Sequence, residues 1–155
     1  MKPEITRLNL INPLYYVPEP ELDPFVNPFL QAGEEAKNRE SLFCFKIADS
    51  IANEFEPDRV FYPGDLVFAG SAESEKDIVC NIKSAGSGMS FFELPRGNYI
   101  FMQIRDVPGK NGIIDLVIEA QKEGLWQRLK LESRYYIRYV FEECPVTQIF
   151  RPYGE

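Results

Sequence analysis

The thirteen residues from Leu129 to Phe141 constrain the fold more than any other stretch of this chain. Leu129, Leu131, Tyr135, Ile137, Tyr139 and Phe141 fall on one parity. Lys130, Glu132, Arg134, Tyr136, Arg138 and Val140 fall on the other. Side chains alternate across a strand, so a period of two among aromatic and branched residues predicts a β-strand with two different faces. The first face is apolar enough to need a covering layer. The second mixes charge with aromatic surface, so it reads either as a solvated face or as the wall of a cleft.

The rest of the chain reads in the same terms. Ile5 to Val17 predicts a strand interrupted at Pro13. Pro18, Pro20, Pro24 and Pro28 follow within eleven residues. Each fixes φ and lacks a donor, so residues 17–33 read as an extended insertion over the core or a lid over a pocket. Cys44, Ile47, Ala48, Ile51, Ala52 and Phe55 are spaced as one helical face, which predicts a helix over Arg39–Phe55, stopped at Glu56-Pro57. Strands are expected over Arg59–Gly70 and Asp77–Ser84. Met89–Arg105 predicts a long strand with Pro95-Arg96-Gly97 as a bend or bulge. Asn111 suits a helix cap, Gly112–Glu123 a second helix, and Gly124 its left-handed terminus. Val146–Pro152 predicts a last strand.

The order strand–helix–strand–strand thus occurs twice, with module one over about 1–88 and module two over about 89–155. One domain of α+β class is expected: an antiparallel sheet with two helices on one face.

Composition excludes several functions. The chain has no histidine, which removes Ser-His-Asp and Cys-His catalysis, His-ligated zinc and His-ligated haem. Cys44, Cys80 and Cys144 match no metal-binding spacing and read as small core residues, so no metal or cofactor is expected. A net charge of −7 opposes nucleic-acid grooves and anionic membranes. No apolar run reaches membrane-spanning length and no leader pattern follows Met1, so a cytoplasmic chain is expected. Aromatic residues make up 14% of the chain, an excess suited to binding flat hydrophobic compounds.

The string Phe92-Glu93-Leu94-Pro95-Arg96-Gly97-Asn98-Tyr99-Ile100 resembles the Pro-x-Gly-x-Tyr strand of gyrase-inhibitor-like small-molecule-binding domains. The likeness continues through a helix ending in Glu123-Gly124, a strand carrying Glu132, and the terminal Thr147-Gln148-Ile149-Phe150-Arg151-Pro152. Such domains serve as effector-binding modules of multidrug-responsive transcription regulators and also occur alone. The resemblance implies an aromatic cleft for hydrophobic, cationic ligands, with Glu132 as charge partner. Ring faces contribute about 0.5–2 kcal/mol per cation contact.

The expected ligand-binding residues are Glu132, Tyr99, Trp126, Tyr136, Tyr62, Phe68, Tyr15 and Tyr16. Glu132 has a second reading as a surface carboxylate paired with Arg134 or Lys130. Tyr99 reads equally as core or as cleft wall. Trp126 reads first as a core plug and second as a stacking plate. Competing functions are a hydrolase using Tyr99 and Glu132 as acid and base, and an acidic protein-interaction domain. Expected partners are small molecules, a DNA-binding regulator and a second copy of the chain. Direct nucleic-acid or membrane binding is not expected.

Overall fold

A computed structural model describes residues 4–18, 41–48, 66–72, 92–141 and 144–154. Among them are nine strands and one helix: β1 (Glu4–Leu10), β2 (Leu14–Pro18), β3 (Ser41–Ala48), β4 (Leu66–Ala72), β5 (Phe92–Leu94), β6 (Gly97–Ile104), α1 (Gly109–Trp126), β7 (Lys130–Leu131), β8 (Arg134–Phe141) and β9 (Pro145–Gly154). Every pairing is antiparallel. The α+β class and the antiparallel sheet agree with the sequence.

The strand order is β1-β6-β9-β8-β3-β4-β2-β5, with β7 beside β9. Its two ends are joined by the chain itself. β1 runs into β2 through Ile11-Asn12-Pro13, and β5 runs into β6 through Pro95-Arg96. β1 pairs with β6 while β2 pairs with β5, so these halves form one long antiparallel pair. Three linking residues face two, and the register slips by one at this point, as at a bulge. Gly97 carries the bend with φ +146°, a value that L side chains avoid. Because β2 also pairs with β4, the pairings close a six-membered circuit: β1/β2, β5/β6, β9, β8, β3, β4 and back to β2. Closure removes the exposed edges that an open sheet would offer to other chains.

Parity then sorts the side chains into two clusters. Phe43, Phe45 and Ile47 on β3, Ile100 and Met102 on β6, Tyr135, Ile137 and Tyr139 on β8, and Ile149 on β9 pack with Ile113, Leu116, Val117 and Ala120 of α1. That is the outer face, covered by the helix. The opposite parity brings together Tyr16, Cys44, Leu94, Tyr99, Tyr136, Val140 and Phe150. Arg138 on β8 donates from Nε to the Tyr16 hydroxyl on β2 at 2.8 Å. β3 and β4 separate those strands in the circuit, so the bond crosses its interior. The second cluster is therefore the inside of the ring, and a six-stranded interior is narrow enough for side chains to fill.

Helix α1 buries Ile113, Leu116, Val117, Ala120, Gln121 and Gly124, a stripe at spacings of three and four. The expected cap at Asn111 is corrected: the helix already begins at Gly109, with Pro108 at the cap position and no side-chain cap bond. Gly124 is likewise not the left-handed terminus. The helix continues to Trp126, and Arg128 takes the left-handed position at φ 60°. Leu129 N–H bonds Gly124 C=O at 2.9 Å and Arg128 N–H bonds Leu125 C=O at 3.0 Å, the paired bonds of a Schellman ending. Gly124 is small for another reason, since a Cβ there would meet Leu131 Cδ2 at 2.5 Å.

The expected helix over Arg39–Phe55 is corrected over residues 41–48, which form β3. The helical spacing counted Cys44, Ile47 and Ala48 but passed over Phe43 and Phe45. These alternate with Cys44 and Lys46, and pairing on both sides to β4 and β8 decides for strand. The twofold strand–helix–strand–strand order does not hold over these residues. Residues 49–55, the Asp77–Ser84 strand, most of the proline-rich insertion and Cys80 lie outside the described residues. The Leu129–Phe141 strand is broken at Glu132-Ser133, where Glu132 N–H bonds Pro152 C=O at 3.0 Å.

Candidate functional site

One end of the ring gathers the chemistry. β6 and β8 begin there and β3 and β9 end there, as their registers show. Around the ring, one ladder row runs Phe101, Phe150, Tyr136, Lys46 and Phe68. The next row outward pairs Tyr99 with Pro152 and Ala48 with Arg134.

The aromatic residues of this end pack edge to face. Tyr99 meets Phe150 at 5.5 Å and Tyr136 at 6.3 Å between ring centroids, and Phe150 meets Phe101 at 5.1 Å. Such contacts add about 0.5–1.5 kcal/mol each to area burial. Tyr99 and Tyr136 are buried, while Arg134 and Glu132 above them keep 35% and 42% of their side chains exposed. The result is a tyrosine floor under a charged rim.

Hydrogen bonds fix the polar atoms. Tyr99 donates its hydroxyl to the Pro95 carbonyl. Arg134 donates from Nε to the Tyr136 hydroxyl at 3.2 Å and sits 3.0 Å from the Glu132 carboxylate. Farther along the ring, Arg138 donates to Tyr16 and, at 2.8 Å, to Gln148 Oε1, and Gln148 donates on to exposed Gln103 at 2.7 Å. Desolvation raises the Tyr99 phenol above its ordinary range, and neighbouring Tyr136 adds to the effect. Desolvation raises Tyr136 too, against the Arg134 charge and its hydrogen bond. Burial pushes the Cys44 thiol up, opposed by Arg138. All three groups stay protonated at neutral pH, giving neutral hydroxyls beside fixed guanidinium charges.

Of the expected residues, Tyr16, Tyr99 and Tyr136 share this interior, Tyr16 through its bond to Arg138, and Glu132 stands on the rim beside Arg134. The surface-pair reading of Glu132 holds in part: its partner is Arg134. Phe68 stands opposite Lys46 in the β3–β4 ladder. Tyr15 has the parity opposite to Tyr16 and pairs with Glu93, away from the interior. Tyr62 lies outside the described residues. Trp126 is corrected as a core plug, since it is 85% exposed at the end of α1. There it borders an open cavity of about 610 Å³ lined, among the described residues, by Glu119, Lys122, Glu123, Leu125 and Trp126. Polar groups of that groove satisfy one another: Lys122 lies 3.8 Å from Glu119, and Gln127 donates to Glu123 at 2.6 Å.

Sequence reasoning did not assign Lys46, Arg138 or Gln148 to the site. Arg138 shares the parity of Tyr136, which was the available signal. Lys46 was hidden by the helical reading of its segment. Cys44 is buried as expected, whereas Cys144 is half-buried. Among the described residues no cluster of carboxylates and thiols could hold a metal ion, and no helix is long and apolar enough to cross a membrane. Comparison with protein-family models and with curated proteins finds no match, so the gyrase-inhibitor-like resemblance rests on the motif residues themselves.

Proposed function

We propose that this chain is a small-molecule-binding domain that holds a hydrophobic aromatic ligand at the Tyr99–Tyr136 end of its strand ring. It acts as an effector-binding module beside a DNA-binding regulator, or as a stand-alone binding protein. The observation that carries the reading is the contrast between the two sheet faces. The helix-covered face is packed mainly with aliphatic and aromatic side chains, whereas the interior end joins buried tyrosines to a half-exposed charged rim. Mouths of strand rings are favoured ligand sites because walls on several sides bury a ligand while its polar end meets fixed groups. The Pro-x-Gly-x-Tyr strand supports the same reading, with Gly97 at the bend and Tyr99 at the site.

Hydrolysis by a Tyr99–Glu132 pair has less support. The Tyr99 hydroxyl is committed to Pro95 and the Glu132 carboxylate to Arg134, so neither stands ready for proton transfer.

Amide chemical-shift mapping with 2-naphthamide, a neutral flat aromatic, tests the proposal. Perturbations should centre on Lys46, Tyr99, Glu132, Arg134 and Tyr136. Perturbations confined to Glu119–Trp126 would move the site to the helix groove and overturn it.

A further inference from the structure

Resting on that reading, we infer the charge of the ligand: it is an anion, an aromatic carboxylate, and Lys46 is its charge partner.

Lys46 has the parity of Cys44, which is buried in the interior cluster, and stands directly opposite Tyr136. Its diagonal neighbours on β8 are Arg134, opposite Ala48, and Arg138, opposite Cys44. Directly opposed residues have Cβ atoms about 4.5–5.5 Å apart and diagonal ones about 7–8 Å apart. Each arginine therefore lies within about one Debye length of Lys46 at physiological salt.

What balances them is unequal. Glu132 is 3.0 Å from Arg134, so its charge is already engaged. Arg138 is held by a tyrosine hydroxyl and a glutamine carbonyl, both neutral. Lys46 is half-buried and, among the described residues, its side chain has no ion pair or hydrogen bond. Among the described residues, three positive groups against one negative group is a local excess in a chain whose net charge is −7. Clustered like charges oppose folding, and an added anion relieves that repulsion where an added cation would worsen it. Lysine presents a compact charge on a flexible stem, which suits reaching a carboxylate from the rim. The aromatic part of the ligand lies at the Tyr99–Tyr136 end of the ring, beside half-buried Pro95. The cation expected from the motif needs a carboxylate to receive it, and among the described residues the rim offers Glu132, already bound to Arg134.

Three probes of one shape test the inference by calorimetric titration: 2-naphthoate, 2-naphthamide and 2-naphthylmethylammonium. Wild-type protein should bind naphthoate about tenfold or more tighter than the amide, with the ammonium weakest. Lys46→Gln should bring naphthoate and amide to within about twofold of each other, and Lys46→Arg should restore the preference for naphthoate. Ammonium binding equal to or tighter than naphthoate overturns the inference, as does a preference that survives Lys46→Gln. Those outcomes leave the small-molecule reading standing. Failure of all three probes to bind overturns both.

Discussion

Closure of the strand ring makes a measurable demand on Tyr16 and Arg138. The bond between them is 2.8 Å long and joins strands on opposite sides of the circuit. In an open sheet of the same order, β2 and β8 would stand three strand spacings apart, roughly 14 Å, beyond reach of any direct contact. A hydrogen bond to a charged group contributes about 1.5–3 kcal/mol. Arg138 is half-buried and keeps Gln148 as a second acceptor, so the low end, about 1.5 kcal/mol, applies. A double-mutant cycle over Tyr16→Phe and Arg138→Met, read by urea denaturation, should give a coupling energy of that size. Residues more than about 7–10 Å apart add to within roughly 0.3–0.5 kcal/mol. A coupling of that order or less would show that the two side chains do not meet, and closure of the ring would be refuted with it.

Other positions give sharper local tests. Arg128 holds a left-handed conformation that glycine adopts without strain, so Arg128→Gly should stabilise the chain by up to about 1 kcal/mol, seen as a higher urea midpoint. Gly124→Ala should destabilise despite alanine's better helix propensity, because the added Cβ meets the buried Leu131 side chain; a neutral or raised midpoint would refute this packing. Glu132→Gln should cost no more than about 1 kcal/mol, since both partners of its ion pair are partly exposed, and the loss should shrink in high salt. Cys44, Tyr99 and Tyr136 all have raised native pKa values, mainly through desolvation, so the unfolded chain releases these protons first. Their contribution is fully present below the ordinary thiol range and is lost as pH rises above about 8.5–10, so urea midpoints should fall steadily there. In native protein a thiol reagent should modify Cys144 well before Cys44.

Much of the second half was legible from local pattern because each element carries one unambiguous period. The alternation after Leu129 assigns Tyr135, Ile137 and Tyr139 to one face and Tyr136 and Arg138 to the other, and the burial clusters follow that division. Helix α1 was found by its apolar stripe and the bend at Gly97 by its residue types. Ser41–Ala48 was misread because nearly every residue in it is apolar. Such a run satisfies a helical spacing and an alternating one together, and only pairing partners distinguish them. Trp126 was misread because size and apolarity favour burial on average, whereas its place at the end of α1 leaves it in solvent.

The sequence by itself determined the class: strands of period two, an amphipathic helix, no histidine chemistry, and an aromatic surplus set on strands. Those properties depend on neighbours in the chain, and short-range geometry transmits them directly. Tertiary structure alone decided that β2 returns to β4 and closes the ring, that Tyr16 reaches Arg138, and that Lys46 stands between two arginines. Each depends on residues brought together from distant parts of the chain, such as Tyr16 and Arg138, 122 positions apart. Parity assigns a side chain to a face, but only register across strands assigns its neighbours, and neighbours set the charge of the site.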